Sequence, residues 1–237
     1  MFKIKTFNQI SVKGLERFSR EKYEVSSEIS KPDAILLRSH KLHNEVLTDS
    51  VLAVARAGAG VNNVPVEDYS KKGIVVFNTP GANANAVKEL VLAGMLLSSR
   101  GIKPGIDHVA SLHDINDAQE LHKTLEAQKK QFAGSELKGK TLGIIGLGAI
   151  GSLVADMALA LGMNVVGFDP ALSIEAAWRL SSDVQRAENM HALLARCDYV
   201  SLHVPAIKPT LHMINADALA QAKLWHGASQ LCSGEHC

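Results

Sequence analysis

Residues 134–151 read GSELKGKTLGIIGLGAIG, and the order of residue types in this stretch decides the fold. The apolar run that ends at Gly146 has the length of one buried strand, and AIGSLVADMALALG after it carries apolar residues at helical spacing. Between them Gly146, Gly148 and Gly151 stand in the pattern G-x-G-x-x-G. Strand, glycine loop and helix in that order are a dinucleotide-binding fingerprint. The first glycine allows a tight turn, the second lets backbone approach a pyrophosphate, and the third permits close packing of helix on strand. The phosphates are then held at the helix N-terminus, by the backbone at Ala149, Ile150 and Gly151.

The next strand, NVVGFDP, ends in Asp169 and Pro170, at the spacing of roughly 20 residues where a carboxylate accepts hydrogen bonds from an adenosine ribose. An acid at that position repels a 2′-phosphate, and no arginine follows it directly, so the expected cofactor is NAD rather than NADP. A later strand, DYVSLHVP, is expected beside the glycine-loop strand across the topological switch point. Its end, His203, Val204 and Pro205, then borders the nicotinamide half of the site. His203 invites a reading as a catalytic base, but a histidine at a strand end is more often a structural residue with its hydrogen bonds satisfied.

Working toward the N-terminus, the runs KIKTF, YEVSSEI, DAILLRS, LAVARAG and IVVFNTP alternate with polar, helix-like stretches, the pattern of a parallel α/β sheet. After Pro80, NANAVKELVLAGMLLSSR reads as a helix leaving this first domain, capped by Asn83 or Asn85. Residues 105–139 are polar with sparse apolar positions at Leu121 and Leu125, and read as a connector or exposed helical arm capped by Asp114 or Asn116. The expected division is a first α/β domain over 1–104, the arm over 105–139, a cofactor domain over 140–221, and an atypical tail over 222–237.

The chain has 237 residues, 46% hydrophobic and 21% charged, with a formal net charge of +1, which fits ordinary folded domains and not a disordered chain. So balanced a charge argues against a nucleic acid or an anionic membrane as partner. Three cysteines cannot staple a chain this long, and Cys197, Cys232 and Cys237 lack metal-type pairing, so no disulfide framework or metal is expected. The start MFKIKTFNQI has no apolar stretch of a signal peptide, and no apolar run is long enough to span a bilayer; the expected setting is the cytoplasm.

The stretches LLRS at 36–39, RAGAGVNNVPVEDYSKKGIVVFNTPGANANAVKEL at 56–90, GSELKGKTLGIIGLGAIG, GFDP at 167–170 and CDYVSLHVP at 197–205 together resemble the D-isomer-specific 2-hydroxyacid dehydrogenases. The likeness runs to about residue 221 and is strongest to the branch that oxidises 3-phosphoglycerate for serine biosynthesis. It implies a flavodoxin-like substrate domain followed by an incomplete Rossmann NAD-binding domain, a small phosphorylated 2-hydroxy acid as substrate, and a homodimer built through the helical arm. It also places Arg38, Ser39 and Arg56 against the substrate's phosphate and carboxylate, and Thr79 against the cofactor. The chemistry agrees, since a guanidinium fork suits both anions and the backbone N–H groups of Ala57, Gly58 and Ala59 could form an anion-binding concavity. Asn62 departs from the aspartate that many relatives carry, within a turn that either residue tolerates.

The family's catalytic arginine, acid and histidine belong beyond Pro205, the arginine in an Asn-x-x-Arg-Gly run. Here the last arginine is Arg196, and Glu235 and His236 fall in the final residues without the family's motifs. No catalytic residue is therefore assigned. The expectation is a dehydrogenase truncated near Gln221 by a frame change, either inactive or serving as a silent NAD-binding module. On that expectation DYVSLHV becomes an exposed sheet edge. A metal site from Cys232, His236 and Cys237 is not favoured, because three ligands within six residues leave the fourth unspecified.

Overall fold

The β-branched and apolar runs of the first 83 residues become short parallel strands, each followed by a polar turn or helix. In the computed structural model, which describes residues 1–223 and 230–231, the chain divides into two compact units, Met1–Asn83 and Ala84–Cys237. The first contains β1 (Phe2–Thr6), α1 (Val12–Leu15), β2 (Tyr23–Ser26), β3 (Ala34–Leu37), β4 (Ala53–Arg56), α2 (Val66–Lys71) and β5 (Val75–Phe77). All pairings are parallel and the order is β2-β1-β3-β4-β5, the flavodoxin-like arrangement. Ile35 and Leu37 alternate into a core with Leu42, Val51, Val54, Val64, Tyr69 and Ile74. Helix α2 has Glu67 and Asp68 in its first turn and Lys71 in its last, complementing its dipole. It stops at Gly73, whose φ of +74° reverses the chain into β5.

The second unit contains α3 (Ala84–Ser99), α4 (Ile102–Ser111), α5 (Ala118–Gln128), a 3-10 turn (Lys129–Phe132), β6 (Thr141–Ile145), α6 (Ala149–Ala160), β7 (Asn164–Phe168), α7 (Ile174–Ala177), β8 (Val184–Arg186), α8 (Met190–Leu194), β9 (Tyr199–Leu202), α9 (Ala216–Ala220) and β10 (Gln230–Leu231). Its parallel sheet has the order β10-β9-β6-β7-β8, which matches five positions of the Rossmann order 3-2-1-4-5-6. Both faces are covered, which is why β6, β7 and β9 read as continuous apolar runs. Leu142, Ile144, Val165 and Tyr199 face one core with Val154, Ala155 and Ala158 of α6. Ile145, Val166, Val200 and Leu202 face the other with Leu193 and Leu194 of α8 and Ala218 of α9. Gly143 lies so close under α8 that a Cβ there would come within 2.4 Å of Leu193.

Three expectations change. The helix 84–99 was assigned to a first domain reaching residue 104, but Val91 and Met95 bury themselves against α6, so it packs in the second unit. The cap of α5 is Asp117, whose carboxylate accepts the N–H groups of Gln119 and Glu120 at 3.0 and 2.8 Å, and neither Asp114 nor Asn116. The strand 199–202 is not an open edge: β10 pairs along it, Gln230 with Val200 and Leu231 with Ser201, and all four of its residues are buried. Helices α4 and α5 bury no residue. Among the described residues no helix is long and apolar enough to cross a membrane.

Candidate functional site

The glycine loop follows β6 at the point where the strand order of its sheet reverses. Gly146 has φ +91°, and a Cβ there would lie 2.7 Å from the His203 carbonyl and 2.9 Å from a Val204 methyl. Gly151 is tighter still, since its Cβ would fall 1.9 Å from the Gly146 carbonyl. Neither position accepts a side chain without movement of backbone. Gly148 is the opposite case: it is exposed, and a Cβ there would meet nothing within 4 Å. Two glycines are thus required by the protein's own packing, while the third leaves open space beside the backbone, as close approach of a pyrophosphate needs.

Gly148 is the N-cap of α6, no side chain caps that end, and the amides of Ala149, Ile150 and Gly151 have no acceptor among the described residues. Three N–H groups without an acceptor among the described residues, at the positive end of a helix, suit a phosphate. Asp169 sits just past β7 and does more than the sequence reading assigned to it. Its Oδ2 accepts the N–H of Leu147 at 2.8 Å and its Oδ1 accepts that of Ala171 at 2.9 Å. The acid therefore braces the glycine loop directly, and each oxygen keeps a further lone pair for a ribose hydroxyl. Pro170 is exposed beside it. Loop, helix end and acid together fit NAD.

His203 is fixed rather than available. Its Nε2 lies 2.8 Å from the hydroxyl of Ser201, a residue 1% exposed, and its backbone N–H donates to Ile145 at 2.7 Å. Burial pushes the imidazole down to about 4, so it is neutral at pH 7. The structural reading of this histidine fits the geometry. Val204 is half-buried against the loop and Pro205 is exposed, its carbonyl accepting the hydroxyl of Thr210. Cys197 is buried, with its thiol raised to about 12, and takes no part. Cys232, His236 and Cys237 lie outside the described residues.

The acid-binding candidates of the first unit gather at the ends of β3 and β4. Arg38 and Ser39 are exposed just beyond β3. Arg56 is turned inward: its Nε donates to the Arg38 carbonyl at 3.0 Å and its Nη1 to the Gly60 carbonyl. The expected amide concavity at 57–59 is not formed as envisaged. The Ala57 N–H extends the sheet to the Leu37 carbonyl at 2.8 Å, and the Gly58 N–H closes a three-residue turn onto Arg56 at 2.9 Å. Of the three amides only that of Ala59 has no acceptor among the described residues. Thr79 is exposed, with its N–H on the Gly58 carbonyl at 2.9 Å. The sequence reading missed Asn8 and Asn63, which bond the backbone of 38–40; Asn8 had one local mark, a polar residue just past an apolar strand, and Asn63 had none.

Comparison with known proteins agrees with this geometry. Residues 106–225 match the NAD binding domain of the D-isomer specific 2-hydroxyacid dehydrogenases. The chain is similar to a D-3-phosphoglycerate dehydrogenase of Methanocaldococcus jannaschii, 37% identical over 205 residues that make up 85% of this chain and 36% of the relative. It is also similar to a hydroxypyruvate reductase of Thermotoga maritima, 36% identical over 86% of this chain and 61% of the relative. It spans about a third of the length of the first of these and less than two thirds of the second. Among solved structures, the NAD+-bound 3-phosphoglycerate dehydrogenase of Entamoeba histolytica superposes with a TM-score of 0.70 at 26% identity, over 93% of this chain and 68% of that one. The D-mandelate dehydrogenase of Rhodotorula graminis shares the fold, with a TM-score of 0.72 at 24% identity, over 93% of this chain and 71% of that one. The chain belongs to the D-isomer-specific 2-hydroxyacid dehydrogenase family.

Proposed function

We propose that the chain holds NAD at the glycine loop and a phosphorylated D-2-hydroxy acid at Arg38 and Ser39, as parts of a cytoplasmic dehydrogenase acting on 3-phosphoglycerate in serine biosynthesis. The observation that carries the reading is the open α6 end beside Gly148 with Asp169 braced against the same loop. Bound NAD supplies the hydride acceptor. The residues of this chain bind and orient: amides of 149–151 on the pyrophosphate, Asp169 on the ribose, Val204 and Pro205 beside the nicotinamide, and the guanidinium of Arg38 on the acid. The turn at 57–59 and the inward Arg56 shape that acid site from behind.

We further propose that this chain by itself is catalytically silent, an NAD-binding module. His203, whose backbone borders Gly146 of the loop, is a poor base at neutral pH because burial holds it neutral and Ser201 occupies its ring nitrogen. Isothermal calorimetry with NAD, with Asp169→Ala as control, tests binding; absence of a saturable heat would overturn it. A spectrophotometric assay with 3-phosphoglycerate and NAD tests silence, and robust turnover would refute that part alone. The apolar positions Ile102, Ile106 and Val109 of α4, at helical spacing around a groove of about 720 Å³, support a homodimer through this arm. Sedimentation as a monomer at all concentrations would remove it.

A further inference from the structure

The turn 38–40 is exposed at Arg38 and Ser39, yet its backbone is bonded from three other parts of the first unit. From the loop after β1, Asn8 accepts the N–H groups of Ser39 at 3.0 Å and His40 at 2.7 Å through one side-chain oxygen. From the turn before α2, Asn63 donates its amide to the carbonyls of Arg38 at 3.2 Å and His40 at 2.7 Å. From the end of β4, Arg56 adds its bond to the Arg38 carbonyl, and the Phe7 ring stacks on that of His40 with centroids 4.3 Å apart. The partners fix both amide orientations, since Asn8 faces two N–H donors and Asn63 faces two carbonyls.

Both asparagines hold unfavourable states to do this. Asn8 has φ +65°, in the left-handed region, and Asn63, only 6% exposed, keeps its Oδ1 buried with no partner. An ordinary surface turn satisfies its backbone with water. Here the ordered groups carry no buried side chain at Arg38 or Ser39, so what the bonds fix is the direction in which those two side chains leave the turn. The turn also sits where the strand order of its sheet reverses, between β1 and β3, the place where open α/β sheets take their ligands.

We infer that Asn8 and Asn63 are positioning residues of the acid site, holding the 38–40 turn ready so that Arg38 and Ser39 meet the phosphorylated acid without ordering the loop on binding. The inference rests on the reading of Arg38 and Ser39 given above. Preorganisation of this kind removes an ordering cost from binding, and its loss weakens affinity without touching a contact atom.

The test uses the full chain, titrated by calorimetry with 3-phosphoglycerate and, separately, with NAD. Asn8→Ala and Asn63→Ala are each expected to weaken 3-phosphoglycerate by roughly tenfold, with NAD affinity unchanged. Asn8→Asp is expected to restore it, because a carboxylate oxygen accepts the same two N–H groups. Hydrogen exchange supplies a readout without ligand: the Ser39 and His40 amides, slow in the native chain, become fast in Asn8→Ala. Native affinity for the acid in both alanine variants, unchanged exchange, or parallel loss of acid and NAD affinity would each overturn the positioning role. Arg38→Ala separates the two levels. If it weakens the acid while the asparagine variants do not, only the positioning inference fails; if it leaves affinity unchanged, or the native chain takes up no 3-phosphoglycerate, the acid-site reading fails and takes the inference with it.

Discussion

The two loops proposed to take anions sit at equivalent places, each past the carboxyl ends of parallel strands where the strand order reverses, and they are built in opposite ways. At the glycine loop the backbone is left unbonded and a side chain braces it: the amides of 149–151 have no acceptor among the described residues while Asp169 holds Leu147. At the 38–40 turn the backbone is committed and the side chains are presented: Ser39, His40, Ala57 and Gly58 donate their amides inward, and Arg38 and Ser39 stand exposed. The first design suits a ligand that recurs unchanged, since backbone offers one geometry. The second suits a ligand whose identity varies between relatives, since one substitution rewrites the contact.

The largest effect is expected at Gly151. A methyl group there lies 1.9 Å from a carbonyl oxygen, so Gly151→Ala must move backbone on which both the helix and the loop depend. We expect a stability loss of about 3 kcal/mol, read by urea unfolding, with NAD binding abolished. Gly148→Ala is its counterpart. Nothing lies within 4 Å of the added methyl, so stability is expected to change by less than about 0.5 kcal/mol while NAD affinity falls. If both variants lose stability alike, or Gly148→Ala binds NAD normally, the division between packing glycine and ligand-facing glycine is broken.

Next in size is the acid response of His203 beneath the loop. Its folded pKa of about 4 is below the unfolded value of 6.5, so the unfolded chain binds more protons between those limits. The contribution to stability is fully present above pH 6.5 and is lost as pH falls toward 4, on the order of 3 kcal/mol in all. Denaturant midpoints between pH 7 and 4.5 measure the slope, and His203→Asn should flatten it. An unchanged slope in that variant would assign the acid sensitivity to other groups.

How far each loop could be read from sequence follows from these two designs. The glycine loop is local: strand, three glycines, helix and the acid after the next strand lie within a few dozen residues, at a spacing that the sequence itself displays. Periodicity gave the parallel α/β class of both sheets, while their strand orders were expected only through the family resemblance. The 38–40 turn is non-local, since Asn8 and Asn63 lie in separate loops and nothing in their neighbours marks them as partners of Ser39 or Arg38. Arg56 shows the same limit from the other side. Its residue type was read as a ligand grip, while its partners, two carbonyls of its own unit, became visible only in three dimensions. The assignment of the 84–99 helix failed for a related reason: its periodicity is visible, but the core that takes up Val91 and Met95 is formed by α6, more than fifty residues later.

An intermediate effect is expected at Asp169, where one carboxylate serves the loop and the ribose together. Asp169→Asn keeps a single acceptor oxygen, which can hold Leu147 or a hydroxyl but not the full set, so NAD affinity should fall by roughly tenfold to a hundredfold. Stability should drop by about 1 kcal/mol, read from the thermal midpoint. A loss of affinity with no loss of stability would mean that the brace on Leu147 is incidental and the ribose contact alone matters.

The smallest expected effect sharpens the contrast from the other loop. Arg56 reaches the carbonyls of Arg38 and Gly60 with two nitrogens of one planar fork. Lysine keeps the charge but offers a single ammonium on a flexible stem, so Arg56→Lys can hold one carbonyl at a time. If Arg56 chiefly supports the turn, as its inward pose implies, Arg56→Lys should cost about 1 kcal/mol of stability and reduce 3-phosphoglycerate affinity only as far as the turn loosens. NAD affinity should not move, because the glycine loop belongs to the other unit. If Arg56 gripped the acid itself, the charge-retaining lysine would keep stability and lose acid affinity instead, reversing the order of the two effects. Unfolding and calorimetry on the same variant distinguish these outcomes, and the second would return Arg56 to the presented side chains and leave Asn8 and Asn63 as the turn's main supports.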